Sequence, residues 1–366
     1  MARSSEWARW ADQRFGRLVA RALARSGERP APSAPERILF VQPTAIGDTL
    51  ISSGAVAALS RRHPRAEIVV AHGPSNAAAV KMLAADARGV AIGFGNPVKA
   101  ARALRALKPD MVIDLCPWPF ATALATRLSG AWTAGFQPSF GNRGALFDRA
   151  VPHRTNQHEI ENLSALSEAL DAGPAARMAI APPQTPVPEW IDTSRLVLLH
   201  AAAGGSRAAP KSWPTDHWAA LVRALVARGW SVGLTGVPAD AAVVDPIIAA
   251  AAAPPEKVVS FCGKLSLAEL VAVLAKAPLL ISVDTGVLHL SAAVDGVAIG
   301  LHGPTRAKRW GTVSPNGAGL DAPHPAAGYI NYGWESHPEE LEIMRALAPE
   351  TVVAEADRLL AVPASP

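Results

Sequence analysis

An apolar run in the second half of the chain ends at residues whose types suit anion binding. The stretch LLISVDTGVLHLSAA, residues 279–293, begins as an apolar segment and then breaks at a group of small and polar residues: Asp284, Thr285, Gly286 and His289. Such a run is typical of a strand covered on both faces of a parallel sheet. Backbone N–H groups are unpaired where the following helix begins, and they can bind an anion. The stretch therefore predicts a ligand site at a strand end.

A second loop has a similar character. The segment HAAAGGSRAAPKSWP, residues 200–214, follows another apolar run. Gly204 and Gly205 lack a β-carbon, so the backbone can approach a ligand closely. Three side chains that can bind phosphate come next: Ser206, Arg207 and Lys211. Pro214 indicates that a helix begins just after Lys211. We predict a phosphate-binding loop, while a glycine turn with a solvated lysine remains an alternative.

Each of these residues also has an ordinary structural explanation. Asp284 or Thr285 as a helix cap would contribute about 1 kcal/mol, and a histidine such as His289 is often a core residue with paired ring nitrogens. Both loops, however, follow strands of one predicted domain. Their co-occurrence favours a diphosphate site over two unrelated turns.

Several common motifs are missing from the sequence. It contains no G-x-G-x-x-G that follows an N-terminal strand, no Walker A motif, no H-E-x-x-H, no G-x-S-x-G and no Asp-x-Asp pair. A dinucleotide fingerprint, a zincin, a nucleophile elbow and a carboxylate-held metal ion therefore lack their usual sequence support. We expect no metal at the site, with phosphate bound by backbone amides and cationic side chains.

The elements that must position these loops alternate regularly along the chain. Apolar runs separated by helical patterns begin with RILFVQ, AEIVVAH and MVIDLC and resume with RLVLLHAAA, WSVGLTG, VVSFCG, LLISVD and VAIGLHG. This alternation predicts two doubly wound parallel α/β domains. Residues 173–190, rich in proline, suit the linker between them. The predicted divisions are an extension 1–36, an N-terminal domain 37–180, a C-terminal domain 191–340 and a C-terminal helix 341–366.

The net charge of the chain is concentrated in its first 30 residues. They hold seven Arg against three acidic residues, which accounts for the whole formal charge of +4. The rest is neutral, so we expect no nucleic-acid partner. Apolar residues recur near one helical face of this segment, opposite the arginines: Trp7, Trp10, Phe15, Leu18, Val19 and Ala22. Peripheral membrane contact through residues 1–30 and packing on the protein itself both fit this pattern.

The compartment is predicted from the absence of export signals. No apolar run approaches the roughly 20 residues needed to cross a bilayer, and the N-terminus has no apolar h-region before a cleavage site. The two cysteines, Cys116 and Cys262, are not spaced as a metal-binding or redox pair. We expect a cytoplasmic protein, with possible contact to the inner face of the membrane.

Four segments, in order, resemble glycosyltransferase family 9, the ADP-heptose heptosyltransferases. They are ILFVQPTAIGDTLIS, HAAAGGSRAAPKSWP, GLTGVPAD, and SVDTGVLHLSAA followed by LHGPTRAKRWG. The resemblance covers about residues 37–311, and its most specific part is Asp-Thr-Gly-x-x-His with a later Gly-Pro-Thr. It implies a GT-B fold, in which two Rossmann-like domains face each other across a cleft. It also implies inverting, metal-independent transfer from a nucleotide sugar bound mainly by the C-terminal half.

The resemblance implies a role for each matching residue. Lys211 would neutralise the donor diphosphate as a catalytic residue, with Ser206 as a hydrogen-bond donor. The other residues expected to contact the nucleotide sugar are Gly204, Gly205, Asp284, Thr285, Gly286 and His289. Asp48, at the first turn after the first strand, would be the base that takes the acceptor proton, and Gly47 beside it would contact the substrate. No cofactor is implied. ADP-heptose would be the donor substrate, and a glycan, lipopolysaccharide core or lipid-linked hydroxyl the acceptor.

Some alternatives stay open at this stage. Asp48 has the structural explanation of a first-turn carboxylate that complements a helix dipole. Gln42 stands where several heptosyltransferases carry a Lys or Arg, which weakens any inference about an acidic acceptor. A non-hydrolysing sugar-nucleotide epimerase would have a similar two-domain fold but would turn over without an acceptor. A non-catalytic nucleotide-sugar-binding subunit is a third possibility.

Overall fold

The structure is a computed structural model that describes residues 6–24, 27, 29–205 and 207–361, and of residues 6–11, 13 and 15 the backbone only. The chain separates into two compact units, Met1–Ala181 and Pro182–Pro366. The division falls inside the proline-rich stretch 173–190 from which a linker is predicted. No helix in the described ranges is long and apolar enough to span a bilayer.

The first unit is built on a six-stranded sheet flanked by helices. Its strands are β1 (Arg37–Gln42), β2 (Glu67–His72), β3 (Ala87–Ala91), β4 (Met111–Asp114), β5 (Trp132–Gln137) and β6 (Arg149–Pro152). Its α-helices are α1 (Glu6–Ala22), α2 (Ile46–Arg62), α3 (Ala77–Val80), α4 (Pro97–Ala106), α5 (Phe120–Leu128) and α6 (Glu159–Ala169), with a 3₁₀ turn at Arg143–Leu146.

The second unit repeats this plan. Its strands are β7 (Leu196–His200), β8 (Ser231–Leu234), β9 (Val258–Ser260), β10 (Leu279–Val283), β11 (Ala298–His302) and β12 (Ala318–Asp321). Its α-helices are α7 (Ala208–Lys211), α8 (Thr215–Ala227), α9 (Ala241–Ala251), α10 (Leu267–Leu274), α11 (Gly286–Ala293), α12 (Ala307–Trp310) and α13 (Pro349–Leu360), with 3₁₀ turns at Pro238–Asp240 and Met344–Ala346.

The two sheets have the same topology. Strand order is β3-β2-β1-β4-β5-β6 in the first and β12-β11-β10-β7-β8-β9 in the second, and every adjacent pair is parallel. In each unit the second and third strands extend the sheet to one side of the first strand, and the next three strands extend it to the other side. The switch points lie between β1 and β4 and between β7 and β10. The prediction of two doubly wound parallel α/β domains is confirmed.

Two helices differ from their predicted bounds. The C-terminal helix begins at Pro349, not at residue 341, because proline suits the first helical position and the preceding residues form turns. The helix predicted to begin just after Lys211 begins at Thr215, with Pro214 as its N-cap. The short α7 precedes it and ends at Lys211. It is too short to have left a periodic signal in the sequence.

The N-terminal extension packs on its own unit. The Asp12 carboxylate accepts hydrogen bonds from the backbone N–H groups of Phe120 (3.0 Å) and Ala121 (2.8 Å), at the start of α5. Gly16 lies directly against Phe120, and Ala20 is fully buried in the same cluster. Helix α5 has no side-chain cap of its own, so Asp12 supplies it from α1. The side chains of Trp7, Trp10 and Phe15 lie outside the described residues.

This packing predicts different outcomes for two glycines of the extension. A β-carbon at Gly16 would lie 2.4 Å from Cβ of Phe120, whereas at Gly27 it would meet none of the described heavy atoms within 4 Å. Gly16→Val should therefore loosen α1, at a cost of about 1–3 kcal/mol from overpacking. We expect trypsin to cleave α1 faster in Gly16→Val than in the matched control Gly27→Val. Equal cleavage rates would contradict the docking of α1.

Candidate active site

The switch point of the second unit places two loops side by side. Strands β7 and β10 pair in parallel, and the register from Leu279↔Val197 to Ser282↔His200 aligns their carboxyl ends. One loop leaves β7 after His200, and the other leaves β10 after Val283. Ligands of doubly wound domains bind at this edge, because the helices that follow the two strands diverge to opposite faces of the sheet.

An ion pair joins the two motifs identified in the sequence. The Nζ atom of Lys211 lies 2.9 Å from Oδ2 of Asp284 and 3.4 Å from its backbone oxygen. Lys211 ends α7, and Asp284 follows β10 directly. The structure thus brings together residues that are 73 positions apart in the chain.

Asp284 is a buried carboxylate that lies near one lysine and two histidines. Its side chain is 8% exposed, against 21% for Lys211. Burial acts to raise the pKa of Asp284, but Lys211 and then His302 and His289 lower it, so that the pKa lies well below its usual range. His289 Nε2 is 3.8 Å from Asp284 Oδ1. Asp284 is therefore ionised at neutral pH, and it holds the Lys211 ammonium in a fixed position.

The start of α11 is not capped by a side chain. Thr285 is the N-cap residue, with extended backbone angles of φ −144° and ψ 173°, and its side chain accepts no capping hydrogen bond. Its hydroxyl instead lies 3.3 Å from that of Ser282. Because the Asp284 carboxylate pairs with Lys211, neither residue serves as the cap considered from the sequence. Within the described residues, neither Asp284 nor Thr285 caps the first-turn amides, including that of Gly286, and such amides can bind a ligand or water.

The glycine loop, residues 201–205, leaves space beside Gly204 and Gly205. A β-carbon at Gly204 or Gly205 would have no described heavy atom within 4 Å, and Gly205 has φ +83°, which favours glycine. Ser206 lies outside the described residues, so its predicted role stays a prediction. Arg207, which the sequence placed among candidate phosphate ligands, pairs instead with Glu340 and Tyr329.

Gly47 and Asp48 lie in the first turn of α2, in the other unit. They follow β1 at its carboxyl end, beside the switch point with β4. Ala45, the N-cap of α2, has φ 63°, a value that non-glycine residues rarely adopt. The buried side chain of Asn76 stabilises this turn. Its Nδ2 donates hydrogen bonds to the Gln42 backbone oxygen (2.8 Å) and to Thr49 Oγ1 (2.9 Å).

Gln42 has a local structural role. Its side chain is 4% exposed, and its Nε2 donates to the backbone oxygen of Thr44 at 2.9 Å. It thus stabilises the turn that leads to Asp48. A backbone strained at Ala45 and held by buried hydrogen bonds is a common feature of functional turns.

Several residues around the two loops of the second unit were not identified from the sequence. His302 ends β11, is fully buried and acts electrostatically on Asp284. Tyr329 and Glu340 contact Arg207 from a segment without recognisable pattern. His302 could have been found as a polar residue that ends an apolar run. Nothing in the local sequence of Tyr329 or Glu340 indicates a contact with a residue more than 100 positions away.

Comparison with known proteins decides the family. The model of glycosyltransferase family 9 (heptosyltransferase) matches residues 98–327. Lipopolysaccharide heptosyltransferase 1 of Escherichia coli K12 is 30% identical over 293 residues, which span 74% of this chain and 88% of that protein. The chain belongs to glycosyltransferase family 9. Lipopolysaccharide heptosyltransferase 3 of E. coli is 28% identical over 297 residues, 74% of this chain and 84% of its own length. The protein is a glycosyltransferase of the heptosyltransferase family.

Solved structures of this family share the fold. E. coli ADP-heptose lipopolysaccharide heptosyltransferase II superposes with a TM-score of 0.67 at 20% identity, covering 88% of this chain and 98% of its own. E. coli heptosyltransferase WaaC with ADP gives 0.65 at 22% identity, covering 88% and 99%. The GT-B class predicted from the sequence is confirmed. A Listeria monocytogenes protein assigned as a UDP-N-acetylglucosamine 2-epimerase scores 0.50 at 14% identity, so the epimerases share only the general fold.

The ion pair predicts how the glycosyltransferase responds to loss of Lys211. Lys211→Ala leaves Asp284 buried without its nearest cation, and at neutral pH it should lower the free energy of unfolding by about 2 kcal/mol, less than for a fully buried pair. The difference in the free energy of unfolding between the wild type and Lys211→Ala should shrink as the pH falls below about 4. The stability that the wild type gains from the depressed pKa of Asp284 is lost in that range. Urea denaturation measures both effects.

The double variant Lys211→Ala/Asp284→Asn is the control. Removing the charge of Asp284 should restore most of the lost stability, since no unpaired carboxylate remains. If the double variant is less stable than Lys211→Ala alone, the ion pair is not what stabilises this edge of the sheet.

Proposed function

We propose that this glycosyltransferase transfers heptose from ADP-heptose to a hydroxyl of a glycan, lipopolysaccharide core or other lipid-linked acceptor, with inversion and without a metal ion. The observation that carries the proposal is the pairing of Lys211 with Asp284 beside the uncapped start of α11. The names of the relatives support the choice of sugar and nucleotide, since heptosyltransferases with ADP and with an ADP-linked heptose share the fold.

The site suits the departure of a nucleoside diphosphate. As the bond between the anomeric carbon and the phosphate oxygen breaks, its electron pair goes to the leaving ADP, whose negative charge grows. Lys211 offers an ammonium held in place before the ligand arrives, and the amides around Thr285 and Gly286 offer fixed dipoles. Such preorganised donors stabilise the developing charge without reorganisation during the reaction.

Asp48 is the proposed base. The acceptor oxygen attacks the anomeric carbon from the face opposite the leaving group, which inverts its configuration, and its proton passes to the Asp48 carboxylate. The turn that carries Asp48 is held by Asn76 and Gln42, so the carboxylate is presented from a defined backbone. A base at hydrogen-bonding distance from the acceptor hydroxyl typically contributes a factor of about 10²–10⁴ to the rate.

The overall proposal is tested by incubating the protein with ADP-heptose and a lipopolysaccharide-core acceptor in EDTA. Release of ADP that depends on acceptor, with a product of inverted anomeric configuration by NMR, is the expected result. Turnover of the donor without acceptor would favour the epimerase, and binding without any turnover would favour a non-catalytic subunit. Activity that appears only when a divalent metal is added would contradict metal independence.

Replacement of Asp48 separates catalysis from donor binding. Asp48→Asn should reduce kcat by about 10³-fold and leave the affinity for ADP unchanged, because the donor diphosphate is assigned to the other unit. The matched control is Glu350→Gln, which removes a first-turn carboxylate from α13. If Asp48 serves only a helix dipole, both variants will retain turnover, and the assignment of the base fails.

The basic extension is proposed as a peripheral membrane contact. Asp12, Gly16 and Ala20 face the protein, which leaves Arg17, Leu18 and Arg21 exposed on the outer side of α1. Leu18 is 59% exposed. A face that combines arginines with an exposed leucine fits an anionic lipid surface. This contact would bring the enzyme to a lipid-linked acceptor, in line with the expected cytoplasmic location.

Liposome sedimentation tests this contact. Arg17→Gln/Arg21→Gln should weaken binding to vesicles rich in phosphatidylglycerol, by about 1 kcal/mol per arginine. The control Arg61→Gln/Arg62→Gln removes two exposed arginines from the end of α2 and should bind as the wild type does. Equal binding by both double variants would count against a role for α1.

A further inference from the structure

The tip of the glycine loop, Gly204 and Gly205, is exposed. A β-carbon at either position would meet no described heavy atom within 4 Å, and Gly205 adopts a left-handed backbone conformation. Glycine loses more conformational entropy on ordering than any other residue. A loop of this kind binds a diphosphate well only if other contacts fix it beforehand, because otherwise the cost of ordering is taken from the binding energy.

Two ion pairs anchor the segment that contains this loop. Lys211 pairs with Asp284, as described above, and Arg207 pairs with Glu340. Nη2 of Arg207 also donates to Tyr329 Oη at 2.9 Å, and Tyr329 Oη donates to Glu340 Oε2 at 2.9 Å. We call Arg207, Tyr329 and Glu340 the Arg207 cluster.

The Arg207 cluster is partly shielded from water. The side chains of Arg207 and Glu340 are 19% and 23% exposed, respectively. Burial raises the pKa of Tyr329 to about 12, so its hydroxyl remains protonated and donates to the carboxylate. Hydrogen bonds between ionised partners at such sites are stronger than those between neutral groups. The cluster therefore has the strength to hold the loop.

The partners of Arg207 are themselves held in place. They belong to the segment 322–340, which follows β12 at the same carboxyl edge of the sheet. The carboxylate of Glu335 accepts hydrogen bonds from four successive backbone N–H groups, those of residues 331–334, at 2.9–3.2 Å. Arg306 donates to the backbone oxygen of Ala327 at 2.7 Å. Arg207 is thus bound to an ordered part of the unit.

We propose that Arg207, Tyr329 and Glu340 are positioning residues that hold the glycine loop in the conformation that binds the donor diphosphate. The inference rests on the proposed use of a nucleoside-diphosphate sugar. When a diphosphate arrives, the Lys211 ammonium is shared between Asp284 and the phosphate oxygens. The Arg207 cluster is then the anchor that does not change partner, and its role is to keep Gly204 and Gly205 in place.

The test compares ligands with and without the diphosphate. The affinities of ADP and adenosine are measured by calorimetry in EDTA for the full-length protein and for Glu340→Gln and Tyr329→Phe. Glu340→Gln should weaken ADP binding about tenfold, the equivalent of one charge-assisted hydrogen bond, and leave adenosine unchanged. Tyr329→Phe keeps the ring and should have a smaller effect in the same direction. If Glu340→Gln does not fold, the ADP and adenosine affinities of Tyr329→Phe test the inference in its place.

Asp357→Asn is the matched control, because Asp357 forms a comparable ion pair with Arg228 in the same unit, 2.7 Å from Nε. It should bind ADP as the wild type does. Equal losses for ADP and adenosine, or wild-type ADP affinity in both cluster variants, would overturn the inference while leaving the proposed donor intact. A wild-type protein that binds no ADP would overturn the proposed donor and the inference together.

Discussion

The ion pair between Lys211 and Asp284 is the interaction on which the candidate site of the second unit depends. A carboxylate as buried as that of Asp284 is tolerated only with a nearby cation, and the Lys211 ammonium lies at hydrogen-bonding distance from it. The strand order creates this arrangement, since β7 and β10 are neighbours although two strands separate them in sequence. The pair keeps a positive charge at the sheet edge, next to a helix start that its N-cap residue Thr285 does not cap. That combination supports the proposed binding of an anion.

The fold could be predicted where its elements are buried. Continuous apolar runs at Arg37–Gln42 and Leu279–Val283 indicated strands with nearly the observed bounds, because central parallel strands are covered on both faces. Ser266 and Glu269 form the capping box that begins α10. Four strands were not predicted from the sequence: Ala87–Ala91, Trp132–Gln137, Arg149–Pro152 and Ala318–Asp321. Three of them are short edge strands that are partly exposed, so they carry neither an apolar run nor a clear alternation. The strand Trp132–Gln137 is buried, but Thr133 and Gly135 interrupt its apolar run.

The candidate site could be predicted only in part, for a related reason. Asp284, Thr285, Gly286 and Lys211 stand beside strand ends, and a strand end can be recognised from neighbouring residues. The pairing of Lys211 with Asp284, and of Arg207 with Glu340, joins positions 73 and 133 apart. Contacts of that range depend on strand order and on loops without pattern. Arg207 is an example: its residue type suggests a phosphate ligand, but its contacts with Tyr329 and Glu340 cannot be recognised from the sequence.

A crystal structure of the protein with ADP, in the absence of divalent metal, tests the role of the Lys211–Asp284 pair most directly. We expect diphosphate oxygens at hydrogen-bonding distance from Lys211 Nζ and from the backbone amides of Thr285 or Gly286. This expectation would be contradicted by ADP bound with its phosphates away from this edge of the sheet, with Lys211 still paired to Asp284 alone.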